Sequence, residues 1–189
     1  MAKIEGLMRH ILKWECGASD KQLANYMTDE KLFYAVRKTT KHPSDPGGWT
    51  NSGVTLATFK RLGCDKDGDK DIDLDDLRLM DYDDWKRILQ QGYWGKALAD
   101  RINSQSVANM IVDWMFTSGG AAKQVQKAVG ATPDGVFGNK TIAAINALPP
   151  YQLWVRLKQL RLAYYKSLSS WKTFGRGWTN RVNDLKYIG

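Results

Sequence analysis

Cysteine and histidine are scarce in this chain. Its 189 residues include two of each: Cys16 and Cys64, His10 and His42. Two cysteines cannot build the disulfide framework of a small secreted scaffold, and two histidines leave no zinc constellation. Thiol and zinc mechanisms are therefore set aside, while a single Cys16–Cys64 bridge stays open. Long hydrophobic runs are missing as well, and no stretch approaches the roughly 20 apolar residues of a membrane span. The opening MAKIEGLMRHILKWE is a charged amphipathic helix and not a signal peptide. Strand-type alternation is scarce, and low-complexity segments and fixed-period repeats are absent, which excludes solenoids and a disordered chain.

Acidic residues are nearly missing from the C-terminal third. Residues 121–189 carry eleven Lys/Arg against Asp134 and Asp184, a surplus of nine, so residues 1–120 are left at −1 within the total of +8. A basic end on a near-neutral body points to a polyanionic partner: nucleic acid, an anionic membrane surface or a cell envelope. No nucleic-acid motif accompanies the charge, so no specific nucleic-acid partner is expected.

Helical periodicity is what the chain has in quantity. It predicts helices over 4–16, 20–38, 55–62, 73–90, 105–117, 120–129, 139–147 and 151–168. The segment QSVANMIVDWMFT, 105–117, is apolar on nearly all sides and should run through the centre of the molecule. Loops are expected at KHPSDPGGWTNSG, CDKDGDKD, GATPDGVFG and SWKTFGRGW. The fold class is mainly α.

One residue interrupts the first helix. At about 100° per residue, Ile4, Leu7, Met8, Ile11 and Leu12 share a stripe, and Glu15 falls within about 20° of it. Glu15 also sits in the last turn before Gly17, where the helix dipole disfavours negative charge. Burial and dipole both favour the neutral acid, which is the form that can donate a proton to a leaving group. The alternative is that the helix ends early and Glu15 turns to water.

Two loops carry further chemistry. In HPSDPGGWTNSGVT, residues 42–55, glycines allow close backbone approach while Asp45, Thr50 and Asn51 supply an acid and hydrogen-bonding groups; a rigid turn is the alternative. In DKDGDKDIDLDD, residues 65–76, Asp65, Asp67, Asp69, the Asp71 carbonyl, Asp73 and Asp76 fall at positions 1, 3, 5, 7, 9 and 12 of a calcium loop. Lys70 stands where glycine is usual, and Asp76 replaces the terminal Glu, as in dockerins. The expectation is structural Ca²⁺, with no cofactor needed for chemistry; a solvated acidic loop is the alternative.

Taken together, Glu15-Cys16-Gly17 and Asp45-Pro46-Gly47-Gly48-Trp49-Thr50-Asn51-Ser52-Gly53-Val54-Thr55 resemble the E-G-G and D-x-G-G-x-T-x-x-G-[IV]-T motifs of the glycoside hydrolase family 108 N-acetylmuramidases. These were formerly called secretion activator proteins and are found in phages and bacteria. The resemblance continues through Tyr93-Trp94, Asp113-Trp114, the peptidoglycan-binding-like VQKAVGATPDGVFGNKT and the closing FGRGWTNRV. The chain departs from the pattern at Cys16 and in an inserted segment over about 18–41.

The resemblance implies a lysozyme-like helical region over 1–118 around a central apolar helix, and a basic peptidoglycan-binding-like subdomain over 119–189. It also implies an endolysin or autolysin cleaving the β-1,4 bond between N-acetylmuramic acid and N-acetylglucosamine. Glu15 would be the general acid, with Asp45 and Thr50 orienting water and Trp49, Asn51, Tyr93 and Trp94 meeting the sugars. The partner would be peptidoglycan strands, with an anionic wall or membrane surface as a further one. Such a protein would be made in the cytoplasm without a signal peptide and reach the wall by a holin-type or other export route. A lytic transglycosylase and a non-catalytic wall-binding module are the alternatives.

Overall fold

A computed structural model describes residues 1–41 and 48–188. The chain has a mainly α, lysozyme-like fold and divides into two compact units, Met8–Gly92 and Met1–Leu7 with Tyr93–Gly189. The division falls elsewhere than the expected 118/119 boundary. The helix that was to close the first region packs instead with the helices that follow it, as described below.

The Met8–Gly92 unit contains most of helix α1 (Glu5–Cys16), whose Met8, Ile11 and Leu12 are sealed from solvent. Gly17, in the left-handed region at φ +75°, closes the helix by donating its N–H to Lys13 O. The helix expected over 20–38 is two helices, α2 (Asp20–Asn25) and α3 (Asp29–Val36). Ser19 and Gln22 form a capping box on α2, and the Thr28 hydroxyl caps α3 by accepting from Lys31 N–H. Between them Arg9 donates to Leu23 O, Tyr26 O and the Asp29 carboxylate, so its guanidinium satisfies carbonyls that a continuous helix would have used itself.

A small antiparallel sheet follows: β1 (Thr39–Lys41), β2 (Trp49–Asn51) and β3 (Val54–Thr55), paired in that order. Strands of two or three residues are too short to show alternation, and the sequence pattern reads here as loop. Asn51 pairs with Val54 across a two-residue turn, Ser52-Gly53, with both residues at positive φ (49° and 83°). That is the twist which joins adjacent antiparallel strands. Helices α4 (Leu56–Leu62), α5 (Leu74–Leu79) and α6 (Tyr82–Leu89) complete the unit, with a π-helical turn entering at Gln90. The expected helix over 73–90 is divided because the Asp81 carboxylate accepts from Asp84 N–H and starts α6 anew.

In the other unit, α7 (Gln105–Thr117) is the core element, with every residue from Ser106 to Trp114 buried. It packs against α8 (Ala121–Ala128) and α10 (Pro150–Lys166), while α11 (Trp171–Asp184) lies on α10 and α9 (Asn139–Asn146) completes the set. The loop before α9 is knotted to α8 through Gln126, whose amide bonds Asp134, Gly135 and Val136. The expected SWKTFGRGW loop is the first half of α11. Its glycines read as loop signals, yet Gly175 is a packing residue: a Cβ there would stand 2.6 Å from the Trp171 ring. Among the described residues no helix is long and apolar enough to cross a membrane.

Candidate functional site

Glu15 occupies the last turn of α1, half-buried, at the edge of the apolar stripe. The next residue ties that turn to the hairpin. Cys16 is buried and hydrogen-bonds Ser52, and burial pushes its thiol above the ordinary range, opposed by that bond and by Lys38 and supported by Glu15. Lys38 approaches the same turn, its Nζ 3.8 Å from where a Cβ on Gly17 would stand. The departure from glycine at position 16 is thus filled by a packed side chain. Both cysteines are free, so the bridge left open above is not formed.

Ser52 is the joint of this region, although nothing in the sequence marks it beyond its place before Gly53. It is buried, its N–H donates to Lys38 O, its hydroxyl donates to Asn51 Oδ1, and its carbonyl accepts from Trp85 Nε1 at 3.0 Å. The end of α1, the residue before β1, the end of β2 and α6 therefore meet at one non-glycine residue held at positive φ. The two motifs, Glu15-Cys16-Gly17 and Thr50-Asn51-Ser52, are brought side by side here.

The other expected site residues divide. Asp45 lies outside the described residues. Thr50 is half-buried on β2, its Oγ1 3.2 Å from that of Thr40 across the sheet. Trp49 is half-buried, with Lys41 Nζ 5.9 Å and the Arg78 guanidinium 5.5 Å from its ring centre. Asn51, expected to meet sugars, is buried: its Nδ2 donates to Leu77 O at 2.7 Å, which uses the amide to anchor β2 on α5. Trp94, likewise expected at the substrate, is fully buried, with Nε1 on Asp100 Oδ1 at 2.6 Å. Both are scaffold residues, because their polar atoms are already spent inside the fold. Tyr93, in the second unit, is half-buried with its ring 4.7 Å from that of Phe116.

The acidic loop folds on its own backbone. Asp65 accepts from Gly68 and Lys70 N–H, Asp67 from Asp69, Asp69 from Asp71, and Asp73 from Asp75. Asp76, buried at the start of α5, accepts from Lys66, Asp73 and Asp67 N–H, and the first two bonds hold its carboxyl below the ordinary range. Asp71 is pushed above it, chiefly by Asp69 and then by burial, Asp73 and Asp76. Carboxylate oxygens of Asp65, Asp67 and Asp76, and of Asp71, Asp73 and Asp76, converge within 4.8 Å. The donor set is all oxygen, as a hard divalent cation requires, and Lys70 takes φ +77° where calcium loops place glycine. The loop is joined to α6 by Lys66, whose ammonium lies 2.8 Å from both Asp81 and Asp84; those bonds hold it well above the ordinary lysine range.

Comparison with known proteins gives a family match and matches among solved structures. The profile of the Glycosyl hydrolase 108 family matches residues 37–119, which hold the hairpin, the acidic loop and α7. Among solved structures, that of Brucella abortus SagA is similar at 31% identity with a TM-score of 0.70, over 88% of this chain and 92% of that one. No curated protein matches.

Proposed function

Because the chain belongs to the glycosyl hydrolase 108 family, a family of peptidoglycan hydrolases, we propose that it cleaves the β-1,4 bond between N-acetylmuramic acid and N-acetylglucosamine, with Glu15 as general acid. One observation carries this reading. The only carboxylate of the first motif stands at a half-buried helix end whose next residue bonds the hairpin of the second motif.

In the reaction, Glu15 gives its proton to the glycosidic oxygen as the C1–O bond breaks, and water adds to C1 as its own proton passes to a base. Asp45 of the same motif serves as the carboxylate that orients this water, and Thr50, one residue beyond Trp49, assists. Trp49 offers a ring to a sugar face on the same strand. Glu15→Gln keeps the shape and removes the proton donor, a change that costs about 10² to 10⁴ in rate. Turbidity clearing of purified sacculi measures it, and a folded variant within threefold of the parent removes the assignment. Mass spectrometry of the digest accompanies this assay: reducing-end muropeptides support hydrolysis, whereas 1,6-anhydro products place the enzyme among lytic transglycosylases.

Calcium belongs to the same reading as a structural ion in the 65–76 loop. Its carboxylates repel one another without a cation, and an ion bound only by the folded state adds about 2.7 kcal/mol of stability at a hundredfold excess over Kd. Chelator should lower the melting temperature, Ca²⁺ should restore it, and Asp67→Ala should abolish the response. A melt indifferent to both chelator and Ca²⁺ leaves the loop a solvated one.

A further inference from the structure

Asn51 and Ser52 stand at the two unspecified places of the D-x-G-G-x-T-x-x-G pattern, and Cys16 stands where E-G-G has glycine. All three are nonetheless buried and joined. The direction of each bond follows from what its neighbour can do. Leu77 O of α5 only accepts, so the Asn51 amide nitrogen stands 2.7 Å from it and Asn51 Oδ1 is left for Ser52. Oδ1 takes the Ser52 hydroxyl proton at 3.0 Å. Ser52 Oγ then has only lone pairs to offer Cys16, and the thiol must be the donor. Burial above all, against the opposing effect of Ser52 and with a smaller push from Glu15, raises the thiol above its ordinary range, so the proton it donates is held at neutral pH.

Ser52 takes part in this tie at a cost to its backbone. It is held at φ +49° in a two-residue turn with Gly53, a conformation that glycine adopts without strain. Glycine would keep the turn and lose only the hydroxyl, so the strained residue points to a use for that hydroxyl. At the other end, the last turn of α1 is already closed by its backbone, since Gly17 N–H donates to Lys13 O and Ala18 N–H to Leu12 O. The tie is therefore not needed to make the helix. It sets where the helix end lies against β2 and α5, and Glu15 precedes Cys16 in that turn. Because its members are sealed from solvent, a bond lost from the tie is not made good by bulk water.

We propose that Asn51 and Ser52 are positioning residues for the general acid: through Cys16, their directed tie to Leu77 O fixes the turn of α1 that carries Glu15. The role rests on the assignment of Glu15 above and adds the means by which the acid is held within reach of the glycosidic oxygen. Proton transfer to a leaving group needs a donor at about 3 Å, and a misplacement of about 1 Å costs up to about 10²-fold in rate. A loosened turn should thus slow the chemical step and leave substrate binding in place.

The test is the initial rate on purified sacculi over a range of sacculus concentrations, well below the melting temperature of each folded variant. Ser52→Gly suits the backbone and removes the hydroxyl, and Cys16→Ala breaks the same tie from its other end. Each should lower kcat about tenfold and change apparent KM less than about twofold. Cys16→Ser restores a donor and should return kcat to within about threefold of the parent. In a Glu15→Gln background, read by mass spectrometry of fragments released over long incubation, Ser52→Gly should cost nothing further, because no acid is left to position. Parent kcat in both Ser52→Gly and Cys16→Ala overturns the role, as does a loss confined to KM or an equal loss in the Glu15→Gln background. Should Ser52→Gly not fold, Cys16→Ala takes its place in every comparison. If Glu15→Gln is slow while Ser52→Gly and Cys16→Ala match the parent, the acid stands and the tie is wrong. If Glu15→Gln itself lyses sacculi like the parent, the acid assignment is wrong, and any loss in the Ser52 and Cys16 variants is structural only.

Discussion

Asp71 and Asp76 show how one short run of acids can hold carboxyls of opposite character. Asp76 is ionised at low cost because the N–H groups of Lys66 and Asp73 point at it, whereas Asp71 faces Asp69 before any other charge. Linkage gives the two groups opposite signs. A depressed folded pKa stabilises above the unfolded value and that stability is lost as pH falls through the folded one; a raised pKa destabilises at neutral pH, and the penalty is relieved as pH falls through it. In chelator, acidification from neutrality should therefore raise the melting temperature first, as Asp71 protonates, and lower it only below the ordinary aspartate value of 3.8 as Asp76 follows. Asp67 is raised as well, so Asp71→Asn should reduce the initial rise. A melting temperature that falls monotonically from pH 7 in both proteins would show that repulsion in the loop is negligible. Spacing made these acids legible as one loop, but it could not rank them, because the ranking is set by which backbone N–H groups each carboxylate meets. The same limit explains Asn51 and Trp94. Residue type suggested sugar contacts, and only the fold shows Leu77 O and Asp100 already occupying them.

Among the elements, α11 separates two roles that glycine can play in one helix. Gly175 is buried under the Trp171 ring, whereas a Cβ on Gly177 would meet nothing within 4 Å. Alanine is the better helix former at both by about 1 kcal/mol. Gly177→Ala should therefore stabilise by up to about that amount, while Gly175→Ala should destabilise by about 1–3 kcal/mol as the overpacked indole is displaced. Urea unfolding of the two variants reads the difference directly, and equal shifts would mean that Trp171 yields freely. The sequence pattern carries α7, α8, α9 and α10 well, since a buried stripe must recur at helical spacing. It fails where a break is local and polar. Thr28 and Asp81 restart helices through single capping bonds that leave apolar periodicity intact, and the glycines of α11 mimic a turn while serving a ring.

For the molecule as a whole, the surplus of positive charge in residues 121–189 overstates what the surface presents. Arg161 is fully buried and Arg181 nearly so, and both converge on Asp113 of α7: Nη2 of Arg161 reaches Oδ2 and Nη2 of Arg181 reaches Oδ1, each at 2.7 Å. The Asp113-Trp114 and FGRGWTNRV matches are thereby explained as one buried ionic joint linking α7, α10 and α11, a pairing across 68 residues that no local pattern reveals. Breaking such a joint costs more than the joint contributes, because removing one partner strands the desolvated charge of the others. Asp113→Asn strands two guanidinium groups and should lose about 3–5 kcal/mol of stability. Replacing the three together, Asp113→Leu with Arg161→Met and Arg181→Leu, removes the charges along with their desolvation cost and should recover most of the loss. Thermal and urea melts of the two variants settle the matter. An Asp113→Asn protein melting within about 2 °C of the parent would show that water or rearranged partners compensate the arginines, and the joint would then be a packing contact instead of the ionic centre of its unit.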